Sequence, residues 1–486
     1  MIDLTKNQDV IEIAKKRCNE KDIIIPTFEQ MKHPERIPET VIDELTEIGL
    51  WDIHPRNLFR ITWKNDPIEF GGGFGDVNYM FMPPEITGVK ARIFGLVGKW
   101  FPTGAHKVGA TFGCLAPSLV TGQFNPVSQH AVWPSTGNYC RGGAYVAALL
   151  GCESIAILPE EMSRERFEWL SRVAGEVIAT PGCESNVKEI FDKCHELRET
   201  RDDIVIFNQF SEFGNMLWHY EVTGSAMKEI LQDEMMVGDR LAGVVLTSGS
   251  SGTMGSAYHM KKLHPRSKVA VSEALQCPTL LLNGYGGHRI EGIGDKHVPW
   301  IHDLKETDTV IAIDDEITIR LMRLFNEPAG RDYLMSQNIP EEFIRELDLL
   351  GISSIANLIS SIKFAKFYEL DERDIVLTVF TDSMELYSSR MAELANERGK
   401  YTRDNAIADF DILKNIGMEH VIDTTYYERK RIHNLKYFTW IEQQNMSLDE
   451  LNAQWYDHDA YWNQVDELPE KIDNLINEFN KEVGLL

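Results

Sequence analysis

The sequence has little of several features that would define a site by themselves. It contains seven cysteines among 486 residues, without a CxxC pair, so neither a disulfide framework nor a zinc cage is expected. Basic residues are also few, with 49 Lys and Arg against 75 Asp and Glu and a formal net charge of -26. A chain this acidic is repelled by nucleic acids and anionic membranes, so we predict neither partner.

Long apolar runs are absent as well. No uninterrupted apolar stretch approaches the roughly 20 residues that a membrane-spanning helix needs. The first twenty residues have no basic-then-apolar signal pattern. With 43% hydrophobic and 10% aromatic residues, the composition is that of a globular protein long enough for two or three packed units. We therefore expect a soluble, cytoplasmic enzyme.

Strand and helix patterns alternate through the middle of the chain, from about residue 91 to about residue 390. Continuous apolar runs such as "ARIFGLVG", "SIAILP" and "GVVL" predict strands, and the segments between them predict helices. This alternation indicates an α/β fold with a parallel sheet covered on both faces. Residues 1–90 are expected to form an N-terminal extension, and residues 391–486 a helical, aromatic-rich C-terminal extension.

Three loops in this region follow strands and open helices, which is where open α/β sheets bind ligands. The first is "PSTGNY", Pro134 to Tyr139, with two hydroxyls, a glycine and an amide at a helix N-terminus. That setting suits a small carboxylate or phosphate, although a plain Ser/Thr N-cap with a turn glycine explains the same residues.

The second loop is "TSGSSGTMGS", Thr247 to Ser256, in which glycines alternate with hydroxyl residues. Such a loop lets successive N–H groups converge on a phosphate, but Gly/Ser loops are also common without a ligand. The third loop, "VFTDSMELY", carries an acid, Asp382, at another strand end.

Upstream of these loops, "KWFPTGAHKVGATFG" places Lys107 behind a Pro-Thr-Gly turn and among small residues. Small neighbours would let a flat ligand approach the lysine amine. An amine, a phosphate cradle, a carboxylate-binding loop and an acid together suit pyridoxal 5'-phosphate (PLP). This cofactor is held by a lysine Schiff base and by its phosphate.

These motifs resemble those of a known enzyme family. "PTGAHKVGATFG" resembles the lysine motif of the tryptophan synthase β chain, while "PSTGN" and "GSSGTMGS" resemble the substrate-carboxylate and phosphate loops of cysteine synthases. "HRIEGIGDKHVPW" resembles the segment that helps to close their site. The chain is therefore similar to fold-type II PLP-dependent enzymes over about residues 91–390. The resemblance implies two open, twisted, parallel-rich sheet domains, with a smaller α/β subdomain at about residues 125–215.

The resemblance also implies roles for individual residues. Lys107 would form the internal aldimine with the cofactor and later shuttle the Cα proton, with His106 near the phosphate. The expected phosphate cradle consists of Gly249, Ser250, Ser251, Gly252 and Thr253. The expected substrate-carboxylate loop consists of Ser135, Thr136, Gly137 and Asn138. Asn138 would also contact the ring hydroxyl of the cofactor.

One position departs from the family pattern. The family places Ser, Cys or Thr against the pyridine nitrogen, and the matching position here is Asp382, or Ser383 if the alignment slips by one residue. A carboxylate about 4 Å from the nitrogen would contribute roughly 4 kcal/mol at an effective dielectric of 20, against about 1 kcal/mol net for a serine hydrogen bond. Asp382 would then keep the ring nitrogen protonated, which favours carbon–carbon cleavage.

The sequence thus predicts a PLP-dependent lyase or transferase of amino-acid metabolism. It would act on a small α-amino acid through an external aldimine and a Cα-deprotonated quinonoid, by β-elimination, β-replacement or Cβ–C cleavage. An alternative resembles the β subunit of 2-amino-4-ketopentanoate thiolase, in which CoA thiolysis yields alanine and acetyl-CoA. Chain length, the C-terminal extension and Asp382 favour this second version. A third possibility is that the chain is not an enzyme. It would then be an α/β protein that binds a phosphorylated metabolite, with Lys107 as a salt-bridge partner.

The two extensions are longer than those of cysteine synthases. The C-terminal one is dense in aromatic residues and contains the basic segment "KRIHNLK". It is expected to cover sheet edges, although an oligomer interface, a small accessory subunit or an anion such as a CoA phosphate would also suit it. We expect a homodimer, with no metal site.

Overall fold

Two sheets organise the chain. The computed structural model describes residues 1–67, 72–135, 137–183, 186–294 and 296–485. The strands that it contains, in chain order, are β1 Tyr79–Met82, β2 Arg92–Val97, β3 His130–Pro134, β4 Glu153–Pro159, β5 Glu176–Thr180, β6 Ile204–Ile206, β7 Arg240–Thr247, β8 Lys268–Ala274, β9 Thr309–Ile313, β10 Asp374–Phe380 and β11 Val421–Asp423.

Helices cover the sheets and build most of both extensions. Those of the N-terminal extension are α1 Gln8–Glu20, α2 Phe28–Lys32, α3 Glu39–Leu45 and α4 Pro84–Thr87. Those of the middle region are α5 Lys107–Thr121, α6 Asn138–Leu149, α7 Arg164–Val173, α8 Val187–Thr200, α9 Phe213–Trp218, α10 Gly224–Glu234, α11 Met254–Leu263, α12 Thr279–Leu282, α13 Asp315–Asn326, α14 Pro328–Ser336, α15 Glu341–Glu346 and α16 Ile352–Phe367. Those near the C-terminus are α17 Ser388–Arg398, α18 Arg403–Lys414, α19 Tyr426–Lys436, α20 Leu448–Tyr456, α21 His458–Trp462 and α22 Gln464–Val483.

The smaller sheet has four parallel strands in the order β5-β4-β3-β6. Helices α6, α7 and α8 pack against it. The small residues of α6 allow it to lie close against α5 as well, since a Cβ added at Gly142 would be 3.0 Å from the backbone carbonyl of Lys107. The smaller sheet is thereby packed directly beside the start of α5.

The larger sheet has seven strands in the order β1-β2-β10-β7-β8-β9-β11. The five central strands run parallel, as the continuous apolar runs predict, and the two edge strands run antiparallel to their neighbours. Strand β1 comes from the N-terminal extension and β11 from the C-terminal one. Each edge of the larger sheet is therefore completed by an extension rather than by the middle region.

Helix α16 lies at the centre of the larger unit, where it packs on β7, β9 and β10 with nearly all of its side chains buried. Its one amide, Asn357, accepts a hydrogen bond from Thr247 N at 2.7 Å and donates one to Val379 O at 2.6 Å. These two residues are at the carboxyl ends of β7 and β10. Asn357 therefore holds the starts of two candidate loops side by side.

The architecture confirms the predicted α/β fold with two parallel-rich sheets and helical extensions. The bounds proposed for the individual subdomains remain predictions. Among the described residues, no single helix is long and apolar enough to cross a membrane. The consecutive segments Glu341–Leu349 and Ile352–Phe367 meet that criterion only as a pair, bent by 116°.

The C-terminal extension is fastened to the middle region through a buried lysine on α19. Lys436 Nζ donates to Trp300 O at 2.8 Å, His302 O at 2.7 Å and Gln454 Oε1 at 2.7 Å. Nearby, Trp440 Nε1 donates to Val298 O at 2.8 Å. Residues 298–302 include the last three residues of the "HRIEGIGDKHVPW" motif. The C-terminal extension therefore fixes this segment through hydrogen bonds to its backbone carbonyls.

Replacing Lys436 by methionine should destabilise the protein. Lys436→Met leaves three buried acceptors without their donor, at a cost of about 3 kcal/mol, so the midpoint of thermal unfolding should fall by about 3 °C. The control is Lys16→Met on α1, where the lysine side chain is 79% exposed. Equal unfolding midpoints for the two variants would contradict this account of how the extension is held.

Candidate functional site

A cavity lies where loops from both sheets meet. The loops follow β3 and β6 of the smaller sheet and β7 and β10 of the larger sheet. The polar side chains that line it are His106, Lys107, Ser135, Asn138, Tyr139, Gln209, Thr247, Ser250, Ser251, Thr253, Asn357 and Thr381. The structure therefore brings together most of the residues that the sequence singled out.

Lys107 is the first residue of α5, and its partly buried amine lies in the cavity wall. Its one hydrogen-bond partner among the described residues is Ser250 Oγ, at 3.4 Å. Burial lowers the pKa of Lys107 to about 8, so a sizeable share of the amine is neutral and nucleophilic near neutral pH. No carboxylate of the described residues forms an ion pair with this amine, which argues against a salt-bridge role.

The turn before Lys107 is held in an unusual backbone conformation. Thr103 and Gly104 both have left-handed φ angles, 68° and 70°, and Thr103, as a β-branched residue, is strained there. The following Ala105 forms an isolated antiparallel bridge with Asp382. The position of the Lys107 amine is thus tied to the end of β10.

The Gly/Ser loop after β7 presents free backbone donors. None of the N–H groups from Gly249 to Thr253 donates to another described residue. Within the loop, the hydroxyls of Ser248 and Ser251 are 2.7 Å apart, and Ser251 has a left-handed φ of 63°. Consecutive unpaired N–H groups in such a turn form an anion-binding site. The loop therefore fits the predicted phosphate cradle.

Asn215, which the sequence analysis missed, fastens this loop. Its Nδ2 donates to Ser250 Oγ at 3.0 Å and to Gln209 O at 2.9 Å. A Cβ added at Gly252 would overlap Asn215 Oδ1, so the close approach requires glycine. Gln209 in turn donates from Nε2 to Ser135 Oγ at 3.2 Å. The segment "NQFSEFGN" after the strand "DIVIF" was the available signal, because it puts amide side chains at a strand end.

The predicted carboxylate loop lies at the N-terminus of α6. Ser135 and Asn138 line the cavity, and Gly137 N donates to Ser135 Oγ at 3.2 Å. Thr136 lies outside the described residues. A hydroxyl and an amide at a helix N-terminus offer donors to a carboxylate, so the geometry is compatible with the expected substrate contact.

His106 also lines the cavity, and its Nε2 lies 3.3 Å from Thr381 Oγ1. Burial holds the pKa of His106 well below its usual value, so the ring is neutral. The pKa of His219, whose ring lies 4.8 Å from that of His106, is lowered by burial in the same way. The role of His106 near a phosphate stays a prediction.

Asp382 directly follows β10 and contacts Asn138, and its predicted contact with the ring nitrogen stays a prediction. Asp382 is buried but does not line the cavity, and neither does Ser383; Thr381 lines it at this strand end. Asp382 Oδ2 accepts hydrogen bonds from Asn138 Nδ2 at 2.6 Å and from Tyr387 OH at 2.8 Å. The geometry therefore does not favour direct contact between Asp382 and a ring nitrogen, because the carboxylate lies behind Asn138.

The donor set of this cavity fits PLP. A partly buried amine that is partly neutral suits the cofactor aldehyde, and the free N–H groups of the Gly/Ser loop suit its phosphate. The amide of Asn138 has an oxygen without a hydrogen-bond partner among the described residues. These features line one cavity.

Comparison with known proteins agrees with this fit. Residues 101–332 match the family described as pyridoxal-phosphate dependent enzyme. The chain is 24% identical to cystathionine beta-synthase of Saccharomyces cerevisiae over 339 residues, which cover 68% of this chain and 62% of the yeast protein. It is 28% identical to a probable cysteine synthase of Bacillus subtilis over 289 residues, covering 59% of this chain and 85% of that one.

A solved structure shares the fold. The crystal structure of O-acetylserine dependent cystathionine beta-synthase from Helicobacter pylori superposes with a TM-score of 0.53 at 25% identity, over 64% of this chain and 95% of that one. The two extensions described above lie largely outside the region matched by the family. The relatives therefore support the core fold, and the family match supports PLP as the cofactor.

The partly buried amine should react as an unusually acidic lysine. Because burial lowers the pKa of Lys107 to about 8, the amine is protonated and unreactive below that pH and reactive above it. Its rate of reductive methylation, followed by peptide mass spectrometry, should rise with a midpoint near pH 8, against about 10.4 for ordinary lysines. A midpoint shared with the exposed lysines of the same sample would show that Lys107 is not buried as described.

Gly252→Ala should damage the phosphate cradle. The added methyl overlaps Asn215 Oδ1, so either the loop or Asn215 must move, and affinity for PLP should fall about tenfold. The control is Gly287→Ala, whose added methyl meets only Cys183 Sγ at an ordinary 3.5 Å. Equal PLP affinities in a fluorescence titration would mean that the close contact at Gly252 does not shape the cradle.

Proposed function

We propose that this chain, a fold-type II PLP-dependent enzyme, catalyses β-elimination or β-replacement on a small α-amino acid. One observation carries the proposal: a partly buried amine of lowered pKa shares a single cavity with an unpaired N–H cradle and a helix N-terminus. The first two suit the cofactor, and the third suits the carboxylate of an amino acid. The named activities of the relatives are of the same type.

Several residues would hold the cofactor. Lys107 would attach to its aldehyde, the N–H groups from Gly249 to Thr253 would bind its phosphate, and Asn138 would contact the ring. PLP, when bound, withdraws electrons from the amino-acid Cα and so makes its proton acidic. The residues of the chain then need only to orient the substrate and to move that proton.

Proton transfer falls to Lys107 in this proposal. With a pKa of about 8, its Nζ has a proton affinity near that required at neutral pH, so it accepts a proton from Cα and returns it at little cost. Ser135, Gln209 and the start of α6 would hold the substrate carboxylate and thereby fix which bond at Cα faces the amine. Burial of these groups keeps bulk water away from the reacting atoms.

The thiolase alternative loses one of its supports. Its preference for carbon–carbon cleavage depends in part on Asp382 keeping a ring nitrogen protonated, whereas Asp382 accepts a hydrogen bond from Asn138 and does not itself line the cavity. The long extensions still distinguish the chain from its relatives. We therefore prefer β-replacement or β-elimination as the reaction. CoA-dependent cleavage is the alternative, and the substrate assay described below distinguishes the two.

The decisive experiment adds PLP to the purified chain and reduces the product with borohydride. Peptide mass spectrometry should find the reduced cofactor on Lys107 and not on Lys363, a second buried lysine whose amine instead bonds Glu419 O at 2.9 Å. Lys107→Ala should lose the visible absorbance of the bound cofactor. Absence of label at Lys107 would refute the proposed function.

Substrate type is tested on the same holoenzyme. O-acetylserine with sulfide should give cysteine and acetate if the reaction is β-replacement, and acetyl-CoA should form from 2-amino-4-ketopentanoate with CoA if the thiolase alternative holds. The Lys107→Ala variant serves as the control for both reactions. If only 2-amino-4-ketopentanoate with CoA is turned over, β-replacement is not the reaction. PLP would still be the cofactor in that case.

A further inference from the structure

A chain of buried polar contacts crosses between the two sheets beside the cavity. Arg166 Nη2 donates to Tyr387 OH at 3.2 Å, and Tyr387 OH donates to Asp382 Oδ2 at 2.8 Å. The same Oδ2 accepts from Asn138 Nδ2 at 2.6 Å. We refer to Arg166, Tyr387, Asp382 and Asn138 as the Asp382 relay. All four side chains are buried, so these hydrogen bonds are shielded from water.

The relay has members on both sides of the cleft. Asn138 begins α6 and Arg166 lies on α7, both packed on the smaller sheet, whereas Asp382 and Tyr387 follow β10 of the larger sheet. Arg166 Nη1 also forms an ion pair at 2.6 Å with Glu291, on the larger-sheet side. If the two sheets moved apart, the hydrogen bonds of the Asp382 relay that join them would break.

Additional contacts hold the sheets together at this edge. Ser389 N and Oγ donate to the two carboxylate oxygens of Glu165, at 2.8 and 2.6 Å. Arg390 pairs with Glu291 and also donates to Glu161 O. These contacts join the start of α7 to the start of α17. The Asp382 relay is thus the buried inner part of a larger polar junction.

At the cavity wall, the Asp382 relay fixes the orientation of the Asn138 side chain. An asparagine amide presents either its oxygen or its nitrogen to a neighbour, and a carboxylate accepts only the nitrogen. Asp382 therefore fixes the Asn138 amide with Nδ2 toward the carboxylate. Asn138 Oδ1 is left without a hydrogen-bond partner among the described residues.

The carboxylate must stay ionised for this to work. Burial raises the pKa of Asp382 above its usual value, although the hydrogen bonds from Asn138 and Tyr387 and the nearby charges of Arg166 and Arg141 oppose this shift. Loss of Tyr387 or Arg166 from the relay would favour the neutral acid, which can donate as well as accept. The Asn138 amide would then lose its single preferred orientation.

We propose that Asp382 is a positioning residue that fixes the Asn138 amide at the cofactor-binding wall, and that it does so only while Arg166 and Tyr387 join the two sheets. The inference rests on the proposed function, because it assumes that the cavity binds PLP. It assigns Asp382 a task different from contact with the ring nitrogen. It also makes cofactor binding sensitive to residues that do not line the cavity.

The test compares two tyrosine-to-phenylalanine substitutions in the full-length holoenzyme. Tyr387→Phe keeps the ring beneath the Arg166 guanidinium, 5.6 Å away, and removes only the hydroxyl of the relay. The matched control is Tyr401→Phe, since Tyr401 OH donates to Asp409 Oδ2 at 2.7 Å and its ring lies 4.9 Å from the Arg323 guanidinium. The control tyrosine has the same kinds of contacts but lies away from the cavity.

Tyr387→Phe should raise the PLP dissociation constant about tenfold, the change expected when a hydrogen bond to a charged group is lost. Tyr401→Phe should leave it within about twofold. Hydrogen exchange should increase across residues 138–149 in Tyr387→Phe only. In an Asn138→Ala background, Tyr387→Phe should cause little further loss of PLP affinity, since the relay acts through Asn138.

Two results would overturn the inference. One is a PLP dissociation constant for Tyr387→Phe equal to that of the control, and the other is full additivity with Asn138→Ala, which would mark Tyr387 as merely structural. If Tyr387→Phe fails to fold, Asp382→Asn is measured instead against the same control, with the same tenfold expectation.

Failure of the inference and failure of the proposed function give different results. If the unmodified chain takes up PLP on Lys107 and Tyr387→Phe behaves as the control does, only the positioning role is wrong. If the unmodified chain takes up no PLP on Lys107, the proposed function itself is wrong.

Discussion

The Lys107 amine lies partly buried at the start of α5 without a carboxylate partner among the described residues, and the rest of the site is arranged around that constraint. Keeping a charged amine in such a place costs several kcal/mol, which is why burial lowers the pKa of Lys107 to about 8. An amine under this constraint is already partly in its reactive form. The strained turn at Thr103 and the bridge between Ala105 and Asp382 hold it at the cavity wall.

Two sheets are needed to build the surroundings of this amine. The larger sheet supplies the phosphate loop after β7 and Thr381 after β10, whereas the smaller sheet supplies Ser135 and Asn138 after β3. Carboxyl ends of parallel strands present loops and helix N-termini, both of which attract anions. In a chain of net charge -26, such local donors would offset the overall repulsion of an anionic ligand.

Local sequence patterns were sufficient to predict much of this arrangement. The apolar runs predicted the central strands, and the motifs around Lys107 and Gly252 predicted which loops meet. What the sequence did not reveal depends on contacts between distant segments. Asn215 looks like an ordinary loop amide until the fold sets it against Gly252. Asn357 is likewise one of several polar residues in a mostly apolar helix, and only the fold shows that it links β7 to β10.

Asp382 is a clearer example of what a local sequence pattern does not reveal. A strand-end acid was correctly placed near the cavity, but a shift of one residue along a strand reverses the direction of a side chain, and the pattern alone could not choose. In the structure, Thr381 lines the cavity and Asp382 contacts Asn138 from behind. The extensions were harder still, because strands of three or four residues such as β1 and β11 carry too little pattern to predict.

Both extensions contact segments of the middle region that lie close to the cavity. Trp63 of the N-terminal extension packs its ring 4.8 Å from Phe101 and 5.6 Å from His106, behind the turn that carries Lys107. Lys436 and Trp440 of the C-terminal extension hold segment 298–302 on the other side. A core trimmed to residues 101–332 would keep the motifs around Lys107, Asn138 and Gly252, but it would lose these contacts and the loop that carries Thr381.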